Sequence, residues 1–208
     1  MNPDSLVIDF IIIIAAYFIG SISTAIVSCK LLGLPDPRTT GSNNPGATNV
    51  LRSGGKKAGA ITLMGDMLKG ILPVLIASQL QSSTVVLTAT GCAAFLGHVF
   101  PIYYGFKGGK GVATFYGIVT GLNWPSGLLA LIIWGICATV FKISSLAALI
   151  SVILTPLIIW QFTHLGALTA GAAIMGIIIF WRHRSNIRHL LNGTESRIGH
   201  KKENQKSA

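Results

Sequence analysis

Residues 8–28, 59–79 and 84–104 are three runs of mostly apolar residues, each ended by glycine, proline, small polar or basic residues. Each matches the roughly 20 residues that a helix needs to cross a hydrocarbon core of about 30 Å. Apolar pieces at 112–122 and 127–141, parted by Asn123-Trp124-Pro125-Ser126, predict two shorter spans, and 144–162 and 167–181 predict a sixth and a seventh. Composition agrees, because 51% of the 208 residues are hydrophobic and 11% charged, too apolar for a domain with a polar surface all round. The expected fold class is an all-α integral membrane protein of seven transmembrane helices, some of them short.

Basic residues orient the stack. Apart from Lys69 inside the second run, every lysine and arginine lies at 30–57, 107–110, 142 or from 182 onward, which alternate loops bring to one side. That side is expected to face the cytoplasm. The opposite loops, 80–83, 123–126 and 163–166, carry no lysine or arginine, and the leading peptide has only Asp4 and Asp9. The N-terminus is therefore expected outside and the C-terminus inside. No cationic leader precedes the first apolar run, so that run is expected to stay as an anchor rather than be cleaved.

The net charge of +10 is thus concentrated on one face, where it orients the protein and attracts anionic headgroups. Nucleic acid is excluded as a partner, since no stacking aromatics are interleaved with these charges. Residues 196–208 read as a polar cytoplasmic tail, expected to be disordered, after a single membrane domain at 1–195. Cys29, Cys92 and Cys137 lie in or at the end of apolar runs without CxxC spacing, so they predict apolar packing and no disulfide or metal site. Asn192-Gly193-Thr194 has the glycosylation pattern but falls on the cytoplasmic side.

The stretch "FKGGKGVATFYG", residues 106–117, sits between two apolar runs. It is not a P-loop: Gly105 to Gly109 is one residue short of GxxxxGK, and Gly111 follows Lys110 where Ser or Thr is needed. Nor is it a dinucleotide fingerprint, because an apolar span rather than a βαβ strand precedes it. What those motifs share remains here. Glycines let backbone N–H groups point into one concavity, and a helix starting near Val112 adds the positive end of its dipole. Lys107 and Lys110 add full charges, so the stretch predicts a phosphate site at the cytoplasmic surface. Two other stretches fall on that side. "TGSNNPGATNVLRSGGKK", residues 40–57, offers hydroxyls, amides and Arg52 to phosphate or glycerol oxygens. "FWRHRSNIRHLLNGTE", residues 180–195, places Arg182, His183, Arg184, Asn186 and Arg188 where the last span exits.

Together, "GSNNPGATNVLR", "GHVFPIYYGFKGGKGVAT" and "RHRSNIRHLLNGTE" resemble the three cytoplasmic motifs of the bacterial acyl-phosphate-dependent glycerol-3-phosphate acyltransferases. The resemblance runs from the first span to Glu195 in matching order. It implies a cytoplasmic (inner) membrane enzyme that moves a fatty acyl group from acyl phosphate to the 1-hydroxyl of glycerol 3-phosphate, giving lysophosphatidic acid and phosphate. It implies no cofactor and no metal. As partners it implies the two substrates, membrane lipid and the soluble enzyme that makes acyl phosphate. Carried over residue by residue, it implies catalytic roles for Lys110, Arg52 and His183. It implies substrate binding by Ser42, Asn44, Gly46, Thr48 and Asn49 of the first motif, Gly108, Gly109 and Gly111 of the loop, Ser145 and Asn186. Asn43 stands where the family has glycine, and His189 where it has arginine.

Mechanism can also be argued from the residues. None of the five histidines has the HxxxxD spacing of an acid-base pair. Carboxylates are few, and Asp66, one turn before Lys69, reads as a structural ion pair. A protein base is therefore hard to find, which fits the family's use of the substrate's own phosphate; His183 stays open as the base. An anion transporter would want inverted halves with matching broken helices, and a magnesium-dependent phosphoryl-transfer enzyme would want clustered carboxylates. The sequence offers neither.

Overall fold

A computed structural model describes residues 3–198. Its helices are α1 (Pro3–Gly20), α2 (Thr24–Leu31), α3 (Ala47–Gln79), α4 (Thr84–Val99), α5 (Val112–Leu122), α6 (Trp124–Phe141), α7 (Ser144–Thr163), α8 (Gly166–Arg182) and α9 (Arg184–Leu191), with a 3-10 turn at Ile102–Tyr104. Among the described residues there is no strand, so the all-helical expectation holds. Four helices are long and apolar enough to cross a membrane, and six if the bent pairs α1–α2 and α8–α9 each count as one span. Helix α5, with 11 residues, is apolar but shorter than a span needs.

Four boundaries differ from those expected, each for a local reason. The first apolar run is not one helix: α1 and α2 meet at 45°. Ser23 caps α2 by accepting from the Ile26 N–H, and the Ile22 carbonyl freed by the break accepts from Lys69 Nζ at 2.8 Å. The polar stretch 40–57 is helical from Ala47, because Val50 buries against Ala25, Cys29 and Ala58 with Leu34 packed beside them. That arm is set at an angle to the rest of α3 by Gly55, whose φ of 85° suits glycine. Asn123-Trp124-Pro125-Ser126 is not a loop. Asn123 alone separates α5 from α6 and caps the latter by accepting from Ser126 N at 3.1 Å and Ser126 Oγ at 2.6 Å, so α6 reaches full span length. Finally, the basic exit segment folds into α9, bent 61° from α8.

The core gathers Phe95, Phe115, Ile118, Met175 and Ile179, all fully buried, while Phe10, Val85, Ile136, Leu157 and Ile177 stand exposed on the outside. Lipid is as apolar as leucine, so close packing at small residues has to hold such helices together. Two crossings do this with one glycine from each helix. A Cβ on Gly20 of α1 would fall 2.0 Å from Ala94 O, and one on Gly97 of α4 2.2 Å from Tyr17 O. In the α3–α5 pair, a Cβ on Gly70 would fall 2.5 Å from Thr114 O, and one on Gly117 2.2 Å from Met67 O. Helix α5 is thereby seated inside the bundle, with Thr114 to Val119 all buried. Helix α3, the second apolar run, thus holds α5 and with it the end of the glycine-rich loop that precedes it.

Candidate active site

The loop between α4 and α5 is pinned at both ends. Gly108 donates its N–H to Val99 O at 3.2 Å, and its carbonyl accepts from the Arg182 guanidinium at 2.8 Å. Gly111 is the N-cap of α5 with φ 87°, and a Cβ there would sit 2.3 Å from the Phe95 ring. No side chain caps α5, so its first N–H groups are left for a ligand, at the helix start expected near Val112.

Lys110 reaches from this loop to α9, where its ammonium donates to Asn186 Oδ1. The Asn186 amide in turn donates to Glu195 Oε1 at 2.6 Å, and the same oxygen accepts from Ser145 Oγ at 2.6 Å. Glu195 gets there because Gly193, with φ 69°, turns the chain back after α9 and Thr194 N bonds His189 O. His189 Nδ1 lies 3.5 Å from the second carboxylate oxygen. Burial pushes the Lys110 ammonium down to about 8, with Arg182 and Arg52 acting in the same sense and Glu195 against them. His183 is buried, and its Nδ1 lies 2.8 Å from Ile179 O, so that nitrogen carries the proton and the other is a bare acceptor. Burial, then the Lys110 charge, pushes its imidazole down to about 4.

The structure therefore brings Lys110, Asn186 and Ser145 together, with His183 and Arg52 close enough to act on the Lys110 charge or be acted on by it. Arg52 donates to Ser196 O at 3.2 Å, and Thr48 Oγ1 meets Ser144 Oγ at 3.2 Å. Asn49 is different: its side chain is buried, accepts from Ser42 N, and donates to Pro37 O and Thr40 O, which leaves it shaping the first motif from inside. Gly46 caps α3 without a side-chain bond, a Cβ on it would crowd Asn44 Nδ2 at 2.8 Å, and the Ser42 side chain is exposed. The first motif touches the glycine loop through Pro45, whose carbonyl is 3.2 Å from where a Gly109 Cβ would lie. Asn43 has φ 56°, a conformation that glycine adopts freely and asparagine tolerates, which accounts for its departure from the family pattern. His189 keeps contact with Glu195, which accounts for the other.

Two residues were given no site role by the sequence reading. Glu195 is the hub of the polar cluster, and its signal was its isolation as the one carboxylate in a strongly basic segment. Arg182 fixes the glycine loop rather than marking the end of a span. The tail expected from residue 196 begins attached to the body, since Ile198 N donates to Lys142 O at 2.6 Å; residues 199–208 lie outside the described part.

Comparison with known proteins gives this arrangement a family. A family model described as glycerol-3-phosphate acyltransferase matches residues 10–193. A glycerol-3-phosphate acyltransferase of Thioalkalivibrio sulfidiphilus is 51% identical over 194 residues, 93% of this chain and 96% of the relative. One of Ruthia magnifica is 52% identical over 198 residues, 95% of this chain and 100% of the relative. The crystal structure of PlsY (YgiH), an integral membrane glycerol 3-phosphate acyltransferase in its glycerol 3-phosphate form, superposes with TM-score 0.87 at 40% identity over 92% of this chain and 96% of that one. Its lysophosphatidic acid form superposes with TM-score 0.85 at 39% identity, covering 92% and 95%. Sequence over nearly the whole length and a shared membrane fold agree: this chain belongs to the glycerol-3-phosphate acyltransferase family and is an integral membrane acyltransferase.

Proposed function

We propose that this enzyme transfers a fatty acyl group from acyl phosphate to the 1-hydroxyl of glycerol 3-phosphate at the cytoplasmic face of a bacterial inner membrane. The observation that carries the proposal is Lys110, set on a glycine loop at the open start of α5 and hydrogen-bonded to Asn186 beside Ser145 and Glu195. Such a cluster suits an anion and hydroxyl groups, and PlsY, 40% identical, has been crystallised in glycerol 3-phosphate and lysophosphatidic acid forms.

In the reaction, the 1-hydroxyl oxygen attacks the acyl carbonyl carbon, the carbon–oxygen bond to phosphate breaks, and phosphate leaves with the bonding pair. Lys110 and the N–H groups around Gly108, Gly109 and Gly111 hold the charge that develops on the leaving phosphate. Arg52, with a two-pronged guanidinium, holds the acceptor's phosphate, while Ser145, Asn186, Ser42, Asn44 and Thr48 orient it. Gly46 and Asn49 shape the first motif around it. His183 is poorly suited as the base: an imidazole held near 4 by burial binds a proton weakly at neutral pH. Its bare nitrogen holds the hydroxyl, and the acceptor's own phosphate takes the proton. Residues 1–195 form the one enzymatic domain, crossing the membrane seven times with α5 as a short span and the N-terminus outside. A soluble enzyme that makes acyl phosphate is its supplier.

The test is incubation of purified protein with labelled glycerol 3-phosphate and either donor. Label is expected in lysophosphatidic acid from acyl phosphate, with EDTA present, and not from acyl-CoA. Glycerol, which lacks the phosphate anchor and proposed base, is expected to stay unacylated. Equal use of acyl-CoA or a strict need for magnesium would remove the donor assignment; efficient acylation of glycerol would remove the substrate-base step alone.

A further inference from the structure

Behind the glycine loop lies a cluster of ionisable groups that the reaction above does not use. Asp66, Lys69 and His98 are 2%, 6% and 7% exposed, deep enough that each must be held by a partner. Lys69 Nζ is 2.9 Å from Asp66 Oδ1, and His98 Nδ1 is 3.6 Å from the same oxygen. Three buried ionisable groups are costly against apolar side chains of similar volume, so stability alone is a poor reason for them. His98 stands in the last turn of α4, just where the glycine loop departs. A Cβ on Gly109 would fall 2.4 Å from His98 Nε2, and one on Gly108 2.0 Å from His98 O. Gly109 is not among the residues with positive φ, so it is glycine for room beside the imidazole and not for its dihedrals.

We propose that His98, set beside the Asp66–Lys69 ion pair, is a positioning residue for the phosphate loop: its imidazole is the wall against which Gly109 lies, and it sets where the N–H groups of residues 108–112 point. Lys69 ties the same cluster to the Ile22 carbonyl at the break in the first span, so the cluster joins the α1–α2 break, α3 and α4. The inference rests on the loop being a phosphate site.

The experiment measures binding of labelled inorganic phosphate to the purified protein, alongside kcat and KM, for two substitutions that divide the imidazole. His98→Asn keeps an amide where Nδ1 meets Asp66 and deletes the edge facing Gly109; His98→Gln keeps reach to that edge. His98→Asn is expected to weaken phosphate binding by on the order of tenfold with kcat less affected, and His98→Gln to stay within about threefold of wild type. Gly109→Ala is expected to lose binding by a similar factor. Combined with His98→Asn it should bind no more weakly than either single variant, because the new methyl enters the space the ring edge left. Wild-type phosphate binding by His98→Asn, or losses that multiply in the double variant, would overturn the proposal. If His98→Asn does not fold, the decision passes to His98→Gln, whose weak binding in folded protein would overturn it. A wild-type protein that binds no phosphate would instead overturn the reading of the loop.

Discussion

Lys110, proposed above to hold phosphate, carries its charge in a setting that works against charge. Its ammonium is drawn down to about 8, first by burial, so the free enzyme holds the cation below that pH and loses it above. We expect kcat/KM for acyl phosphate to fall as pH rises through about 8, and Lys110→Arg, which stays protonated, to push that alkaline limb upward even at a lower maximal rate. A pH profile of the two enzymes checks this, and an unmoved limb would assign it to another group. Arg52→Lys and Lys110→Gln are each expected to lower activity by more than about tenfold with folded protein still in the membrane. Some of these roles were legible in the residues themselves. Gly108 to Gly111 gave the reading of a phosphate loop that is proposed above, and the ion pair of Asp66 with Lys69, legible from helical spacing, is present. The family resemblance implied substrate binding by Asn49, and only its buried partners reveal the loop-shaping role. Glu195 and Ser145 are 50 residues apart, a contact that spacing cannot announce.

At the level of elements, length and hydropathy were enough to find α4 and α7, whose apolar runs are unbroken. They missed the break between α1 and α2, since two serines barely change the mean over an apolar run, and the carbonyl they free is satisfied by a lysine from another helix. They missed α9, whose Ile187, Leu190 and Leu191 are outweighed by the charges around them. The glycine crossings make a sharper prediction. Gly117 meets backbone of α3 that has no rotamer to yield, so Gly117→Ala is expected to cost about 1–3 kcal/mol and lower the melting temperature in detergent by roughly 5 °C. Gly135 in α6 has nothing within 4 Å of a new Cβ, and Gly135→Ala is expected to leave the melting temperature unchanged or raise it. Equal effects at the two positions would show that the α3–α5 contact is not what holds α5.

For the whole molecule the open quantity is its orientation. In a background with Cys29, Cys92 and Cys137 replaced by alanine, single cysteines at Gln81 and Leu165 are expected to react with an impermeant thiol reagent in intact cells. One at Lys57 should react only after the membrane is opened. All three positions are exposed, so access and not burial decides the outcome, and the reverse pattern would place the basic loops outside. The order in which the chain is made adds a consequence. Arg52 and Lys110 come earlier, but Arg182, which fixes Gly108, ends α8, and Asn186 and Glu195, which hold Lys110 and Ser145, follow it. A nascent chain therefore holds Lys110 without its partners while residues 111–185 are made, and the polar cluster of Lys110, Asn186, Glu195 and Ser145 closes only when the final segment folds back.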